Sequence, residues 1–344
     1  MLFLLTAAMT LAVNAQSAPD ADDKSSSLDS LLNEKLEFYR QLYPEISFMI
    51  LKGGDELVAD MMALDIALGH KPSSLDYEHP PKLREDLMMA SANRIVYMLQ
   101  YSMPSASLFK ADTPLGWQES LCVLTINPVE IAADSIRATQ SLLDLPQDFI
   151  KEISDDLRLQ PTDYLEFVID HEIYHCLHSM YIGPQTMSQK ESWGDYNHYL
   201  NEQGADAYAL GMHIKIHLGA QSFAKNILRV RGMSLYSADP DHLTCKALQQ
   251  AFKIPAEDMA KMSAKEVFDT AKQIQQRLTI SYDEYIQYLA SSIEAMKLLG
   301  VEDLVSDELR NRIKGVQPDP AQVKELVTNT RRYLSELSCD EVVQ

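Results

Sequence analysis

The chain has 344 residues, 46% apolar and 23% charged, and its 30 Lys and Arg face 50 Asp and Glu for a formal net charge of −20. That length supports one large or two medium folded units, and the composition is that of an ordinary soluble globular protein rather than a disordered one. Such an acidic excess, with no local basic cluster to offset it, repels a phosphate backbone and excludes nucleic acid as a partner.

Taken in chain order, residues 2–13 are almost all apolar, interrupted only by Thr6 and Thr10, and Val13-Asn14-Ala15 offers small residues at a cleavage site. The expectation is a signal peptide over 1–15 and an exported protein, periplasmic or secreted; the departure from that pattern is a start without Lys or Arg. The stretch is too short to span a bilayer, and no later run reaches the ~18 uninterrupted apolar residues a span needs, so no integral membrane segment is expected in the mature chain. Residues 16–27 are polar and read as a flexible leader.

From Leu28 onward, apolar spacing predicts helices over 28–42, 55–68, 82–99, 128–143, 162–181, 195–218, 221–235, 240–252, 282–299 and 321–337. Two short apolar runs, 46–51 and 121–126, read as strands. The expected fold is therefore mainly α with a small β element. A change of character at Pro255, where charged amphipathic helices take over, places a soft boundary between a main domain over 28–253 and a C-terminal helical region over 254–344. The four cysteines, Cys122, Cys176, Cys245 and Cys339, are spread too widely for a metal framework. They permit two disulfides in any of three full pairings, or buried thiols.

The chemistry concentrates in Asp170-His171-Glu172-Ile173-Tyr174-His175-Cys176, which contains the pattern H-E-x-x-H. Two histidines four apart on a helix sit one turn above each other and can converge on one metal ion, with the Glu between them as general base for a water. Leu165, Ile169, Ile173, Cys176 and Met180 form one apolar stripe for burial, leaving Tyr164, Val168, His171, His175 and His178 to face a cleft. A catalytic zinc site takes three protein ligands and keeps one position open. Downstream, Asn201-Glu202-Gln203-Gly204-Ala205-Asp206-Ala207-Tyr208 supplies Glu202 as third ligand and, one turn on, Asp206 to accept a hydrogen bond from a ligand histidine. Asp206 and His198 share that face and are the rival third ligands. Gly204, Ala205 and Ala207 are small enough to let this helix approach the first one closely.

His171-Glu172-x-x-His175 followed by Glu202-x-x-Ala205-Asp206, with the lead-in Leu165-Glu166-Phe167-Val168-Ile169-Asp170, resembles the M48 peptidases within the thermolysin-like gluzincins. The resemblance spans roughly 121–252. It implies a zincin-like α+β fold, zinc held by His171, His175 and Glu202, Glu172 as general base, Asp206 orienting His171, and strand 121–126 as the edge on which a peptide substrate is laid; a buried core strand is the competing reading. Tyr174 stands where many members have Gly. The family's Ser/Thr-His-Pro region corresponds to Ala238-Asp239-Pro240, with His242 two residues further on. His242 is then the candidate to stabilise the oxyanion, with Tyr208 and Tyr236 as alternatives, while His178, His213 and His217 are expected to be bystanders. The expected activity is a zinc metalloendopeptidase acting on peptide or protein substrates. The rival is a non-catalytic exported adaptor or envelope-assembly factor on the same scaffold.

Overall fold

The computed structural model describes residues 21–53, 56, 59, 60, 62–64, 95, 104–112, 118–143, 157, 159–182, 193–217 and 221–334. The signal-peptide reading of 1–15, the predicted helix over 82–99 apart from Ile95, and Cys339 lie outside them. The described residues are mainly helical with one small sheet.

Helix α1 (Ala21–Leu42) buries Leu28, Leu32, Leu36 and Tyr39 at helical spacing and leads, past buried Tyr43, into β1 (Ile46–Leu51). It begins inside the stretch read as a leader, because nothing between Pro19 and Leu28 is a Gly or Pro that would stop the helix from extending backward. Two further strands follow, β2 (Ser105–Asp112) and β3 (Gln118–Thr125), in the order β1-β3-β2. β1 runs parallel to β3 and β2 antiparallel to it, with Phe48 opposite Cys122 and Leu108 opposite the same residue from the other side. β3 is therefore the centre of the sheet and not an edge, which corrects the expectation that a substrate lies along it. Its alternation explains the position: Cys122 and Leu124 face the main core, whereas Leu121 and Val123 face a second layer with Leu51, Leu64, Ile95 and Phe109. A strand buried on both faces reads as a plain apolar run, so periodicity alone does not distinguish centre from edge. β2 escaped notice because Ser105, Ser107 and Lys110 dilute its apolar content.

The predicted helix over 128–143 is two, α2 (Pro128–Ala132) and α3 (Ser135–Leu143), divided where the Asp134 carboxylate accepts from the backbone N–H groups of Ile136 and Arg137. Next come α4 (Pro161–Tyr181), started by Pro161 in the first turn, and α5 (Trp193–Ile216), which lies against it along its length. As expected, Tyr164, Val168 and His171 of the second stripe line a cleft, but the helix has little open surface. From Tyr164 to His178 every residue is buried except Glu166 and His175, because α1, α2, α3, α5, β2 and β3 all pack against this helix.

Helix α6 (Gln221–Gly232) ends short of its predicted limit and gives way to a 3-10 turn, Ser234–Ser237. Ala238 then takes a left-handed φ of 56°. The chain re-enters a helix only at α7 (Cys245–Phe252), so His242 sits in a connecting turn and not on the helix predicted over 240–252. The remaining elements are α8 (Ala256–Lys261), α9 (Ala264–Leu278), α10 (Tyr282–Leu299), α11 (Asp307–Arg312) and α12 (Pro320–Leu334). The core does not divide at 254: Met259, Val267, Phe268, Ala271 and Ile274 belong to the same cluster as α4 and α5. A separate cluster begins with α10 and α12, which close over Tyr196 and Leu200 at the start of α5 and over Leu235. Charged outer faces mark solvent exposure, not a domain boundary.

A disulfide joins Cys122 of β3 to Cys176 of α4, with Cα atoms 5.8 Å apart, and ties the sheet to the motif helix. Cys245 is a buried thiol that donates to the Leu228 carbonyl.

The seam between α4 and α5 depends on one glycine. A Cβ built on Gly204 collides with the hydroxyl and ring of Tyr174, whose hydroxyl donates to Gln275 Oε1 of α9 at 2.6 Å. The bulky residue before the second histidine is thus matched by a missing side chain opposite it. Gly204→Ala is expected to destabilise the chain by about 1–3 kcal/mol through overpacking, and Tyr174→Leu in the same chain is expected to recover part of that loss. Additive effects in urea denaturation of the two single variants and the double variant would show that the contact does not govern the seam.

Candidate metal centre

α4 and α5 run antiparallel, so residues one turn apart on each meet in matched pairs. His171 and His175 of α4 bring their Nε2 atoms to 3.2 Å from each other, and Glu202 of α5 places Oε2 3.0 Å from His171 Nε2 and Oε1 3.3 Å from His175 Nε2. One turn along α5, Asp206 Oδ1 lies 2.8 Å from His171 Nδ1. A carboxylate held between charged donors only accepts, so the proton of a neutral His171 ring resides on Nδ1 and the lone pair of Nε2 points at Glu202 and His175.

Asp206 has no capacity left for a metal. Arg231 of α6 grips it with Nε to Oδ2 at 2.8 Å and Nη2 to Oδ1 at 2.9 Å, and the Thr244 hydroxyl donates to Oδ2. Burial by itself would raise its pKa, but Arg231 and then His171 outweigh burial and hold the carboxyl well below the usual range. Of the two carboxylates weighed from the sequence, Glu202 therefore faces the ring nitrogens and Asp206 braces one of them from behind. His198, the other rival, places Nδ1 3.1 Å from Glu202 Oε1 on the outer side of that carboxylate.

His242 reaches the same carboxylate from the turn before α7. Its Nδ1 lies 2.6 Å from Asp239 Oδ2, and its Nε2 lies 2.9 Å from Glu202 Oε2. Asp239 also accepts from the His242 backbone N–H at 3.3 Å, so one side chain fixes both the turn and the ring. Glu172 is buried and lines, with His171, His242, Asp239 and Arg231, a cleft of about 440 Å³ closed on its far side by α2 and α3. The other two candidates for oxyanion stabilisation lie elsewhere: Tyr208 is fully buried 3.2 Å from the Tyr39 hydroxyl, and Tyr236 does not line the cleft.

Whether these residues suit a metal ion is decided by the atoms they turn inward. His171 Nε2, His175 Nε2 and a Glu202 oxygen converge at separations of 3.0–3.3 Å. Four-coordinate geometry with bonds of ~2.0–2.1 Å has ligand-to-ligand edges of about 3.3 Å. Glu202 Oε2 is buried and makes no well-formed hydrogen bond among the described residues, despite the imidazoles within ion-pair distance. Burial raises the Glu202 pKa, but His242, His198, His175 and His171 together pull it well below the ordinary value, so the carboxylate is ionised. Burial likewise lowers the pKa of His171, and Glu202 and Asp206 reverse this to about 9, a measure of how strongly the pocket draws positive charge. The group fits a metal cation.

Comparisons with protein-family models, with curated proteins and with solved structures give no match to this chain. The chemistry open to the site thus follows from its own geometry: a cation-binding triad, a buried carboxylate one helical step away, and an oriented imidazole 2.9 Å from the triad's carboxylate.

Sequence reasoning did not single out Arg231, Thr244, Lys35 or the pairing of Asp239 with His242. Lys35 Nζ of α1 holds Asp170, the residue before His171, at 2.9 Å, and the Tyr39 hydroxyl donates to the same carboxylate at 2.6 Å. Asp170 was visible only as the residue preceding the motif; its partners lie 135 and 131 positions away and leave no local signal. His178, expected to be a bystander, is buried beside Gln275.

Proposed function

We propose that the chain is an exported zinc-dependent endopeptidase of the M48 kind with a zincin-like core. The observation that carries this reading is the convergence of His171 Nε2, His175 Nε2 and the Glu202 carboxylate beside buried Glu172 at the wall of a cleft. Two imidazoles and a carboxylate with a neighbouring unligated glutamate suit zinc hydrolysis. A purely structural site has no use for that glutamate.

His171, His175 and Glu202 would hold the zinc, which supplies Lewis acidity that polarises a scissile carbonyl and acidifies water towards a pKa of ~7. Glu172 takes the proton of the attacking water and returns it to the leaving amine, so no acyl-enzyme forms. His242, oriented by Asp239, would give its Nε2–H to the oxygen on which negative charge develops once Glu202, now 2.9 Å from that nitrogen, is engaged by the metal. Asp206, clamped by Arg231, keeps the His171 ring aligned. The substrate main chain is taken up along β2, which among the described residues is an edge of the sheet, packs against α4 and follows directly on Pro104 at the cleft wall. Export is supported by the Cys122–Cys176 disulfide, a bond that persists in oxidising compartments. No helix among the described residues is long and apolar enough to cross a membrane.

The test is zinc content measured beside casein turnover. About one zinc at this site per chain and chelator-sensitive turnover are expected; zinc bound without turnover would instead favour the adaptor. X-ray absorption showing sulfur in the first shell would refute the ligand set. The ligand roles are separated by a second measurement. Glu202→Gln should remove most of the zinc, whereas Asp206→Asn, acting through His171, should weaken binding by ~10–100-fold. The reverse order in a chelator titration would make Asp206 the third ligand.

A further inference from the structure

Five residues before His171 on α4, a rise of roughly 7.5 Å, Glu166 meets His213 in the last turn of α5 and His217 just past its end. His217 Nε2 is 2.6 Å from Glu166 Oε2 and His213 Nδ1 is 3.7 Å from the same oxygen. The three donor atoms lie within 4.8 Å of one another. An ion pair between His217 and Glu166 accounts for two of these groups but leaves the third unexplained. His213 is 1% exposed, its ring is held against Phe223 with centroids 4.1 Å apart, and its Nδ1 has no hydrogen-bond partner among the described residues. A buried ring nitrogen in that state is destabilising unless something satisfies it.

We propose that Glu166, His213 and His217 bind a second divalent metal ion, of the zinc class, distinct from the one held by His171, His175 and Glu202. Two imidazoles and one carboxylate select zinc-like ions over calcium or magnesium, which take all-oxygen sets. The separations of 2.6 and 3.7 Å bracket the edge of about 3.3 Å that tetrahedral coordination requires, so small side-chain adjustments suffice. His217, at 42% side-chain exposure, provides the way in from solvent, while Glu166 and His213 form the floor. Among the described residues the competing cation nearest Glu166 Oε2 is Lys35 at 4.0 Å, but its ammonium is held by Asp170 at 2.9 Å. Asp163, one turn earlier on α4, interacts with His217 and adds negative charge beside the site. The ion would staple the end of α5 to the first half of α4. It has no part in the proposed hydrolysis, since Glu172 and His242 stand at the other centre.

The experiment is zinc stoichiometry of the full, untagged chain after equilibration with zinc and removal of the excess, on wild type, His217→Ala, His175→Ala and the double variant. The expected contents are two, one, one and none per chain, with zinc still raising the Tm of His175→Ala but not of the double variant. Wild-type zinc content in folded His217→Ala would overturn the proposal. Should that variant fail to fold, Glu166→Gln, which keeps the side-chain shape, is read by the same criterion. Loss on His217→Ala with none on His175→Ala would leave this site standing and refute the catalytic centre instead, so the two readings fail separately.

Discussion

Glu172→Gln is expected to lower peptide turnover by ~10²–10⁴-fold while zinc content stays at the wild-type level. The amide keeps the size of the carboxylate, so the cleft wall is preserved, but it cannot accept the proton that the attacking water must lose. Glu172 is buried beside His171 yet is not one of the three groups converging on the metal position, which predicts separable effects on chemistry and binding. The decisive measurements are zinc stoichiometry and kcat/KM on one peptide for Glu172→Gln and His171→Ala side by side. Zinc loss in Glu172→Gln as great as in His171→Ala would show that Glu172 is a ligand. Turnover close to wild type with zinc retained would remove it from catalysis altogether.

Arg231→Met should have the largest effect on stability. Arg231 is buried, and among the described residues its side-chain hydrogen bonds go to Asp206, itself fully buried. Removing one partner of a buried ion pair strands the other charge in a medium that solvates it poorly, which typically destabilises by ~3–5 kcal/mol. Asp206 would keep only His171 and Thr244, and the alignment of His171 would loosen, so zinc affinity should also fall by ~10–100-fold. Arg231→Lys is expected to restore little, because an ammonium cannot grip both oxygens of the carboxylate as the planar guanidinium does. Denaturant unfolding of the zinc-depleted chain isolates the first effect and chelator competition the second. An unfolding free energy within ~0.5 kcal/mol of wild type would mean that Asp206 finds compensation elsewhere and that the pair is not a structural clamp.

Local patterns determined a good deal about this protein without any coordinates. The 3.6-residue period set α10 at 282–299 without error and α4 to within a residue, because each is a long amphipathic or buried run with a clear start, Ser281 or Pro161. The i to i+4 spacing of His171 with His175 and of Glu202 with Asp206 put each pair on one helical face, a consequence of helix geometry alone. What only the tertiary structure decided is every relation between segments. That Glu202 and not Asp206 turns towards the ring nitrogens follows from Arg231 and Thr244 occupying Asp206, from 25 and 38 residues away. That β3 is central follows from pairing with β2, a strand too polar to announce itself. That His213 and His217, apparently idle, meet Glu166 follows from the antiparallel register of α4 and α5. Periodicity reports the face a residue occupies on its own helix, whereas the partner of that face is chosen by packing between elements distant in the chain, and no local pattern encodes it.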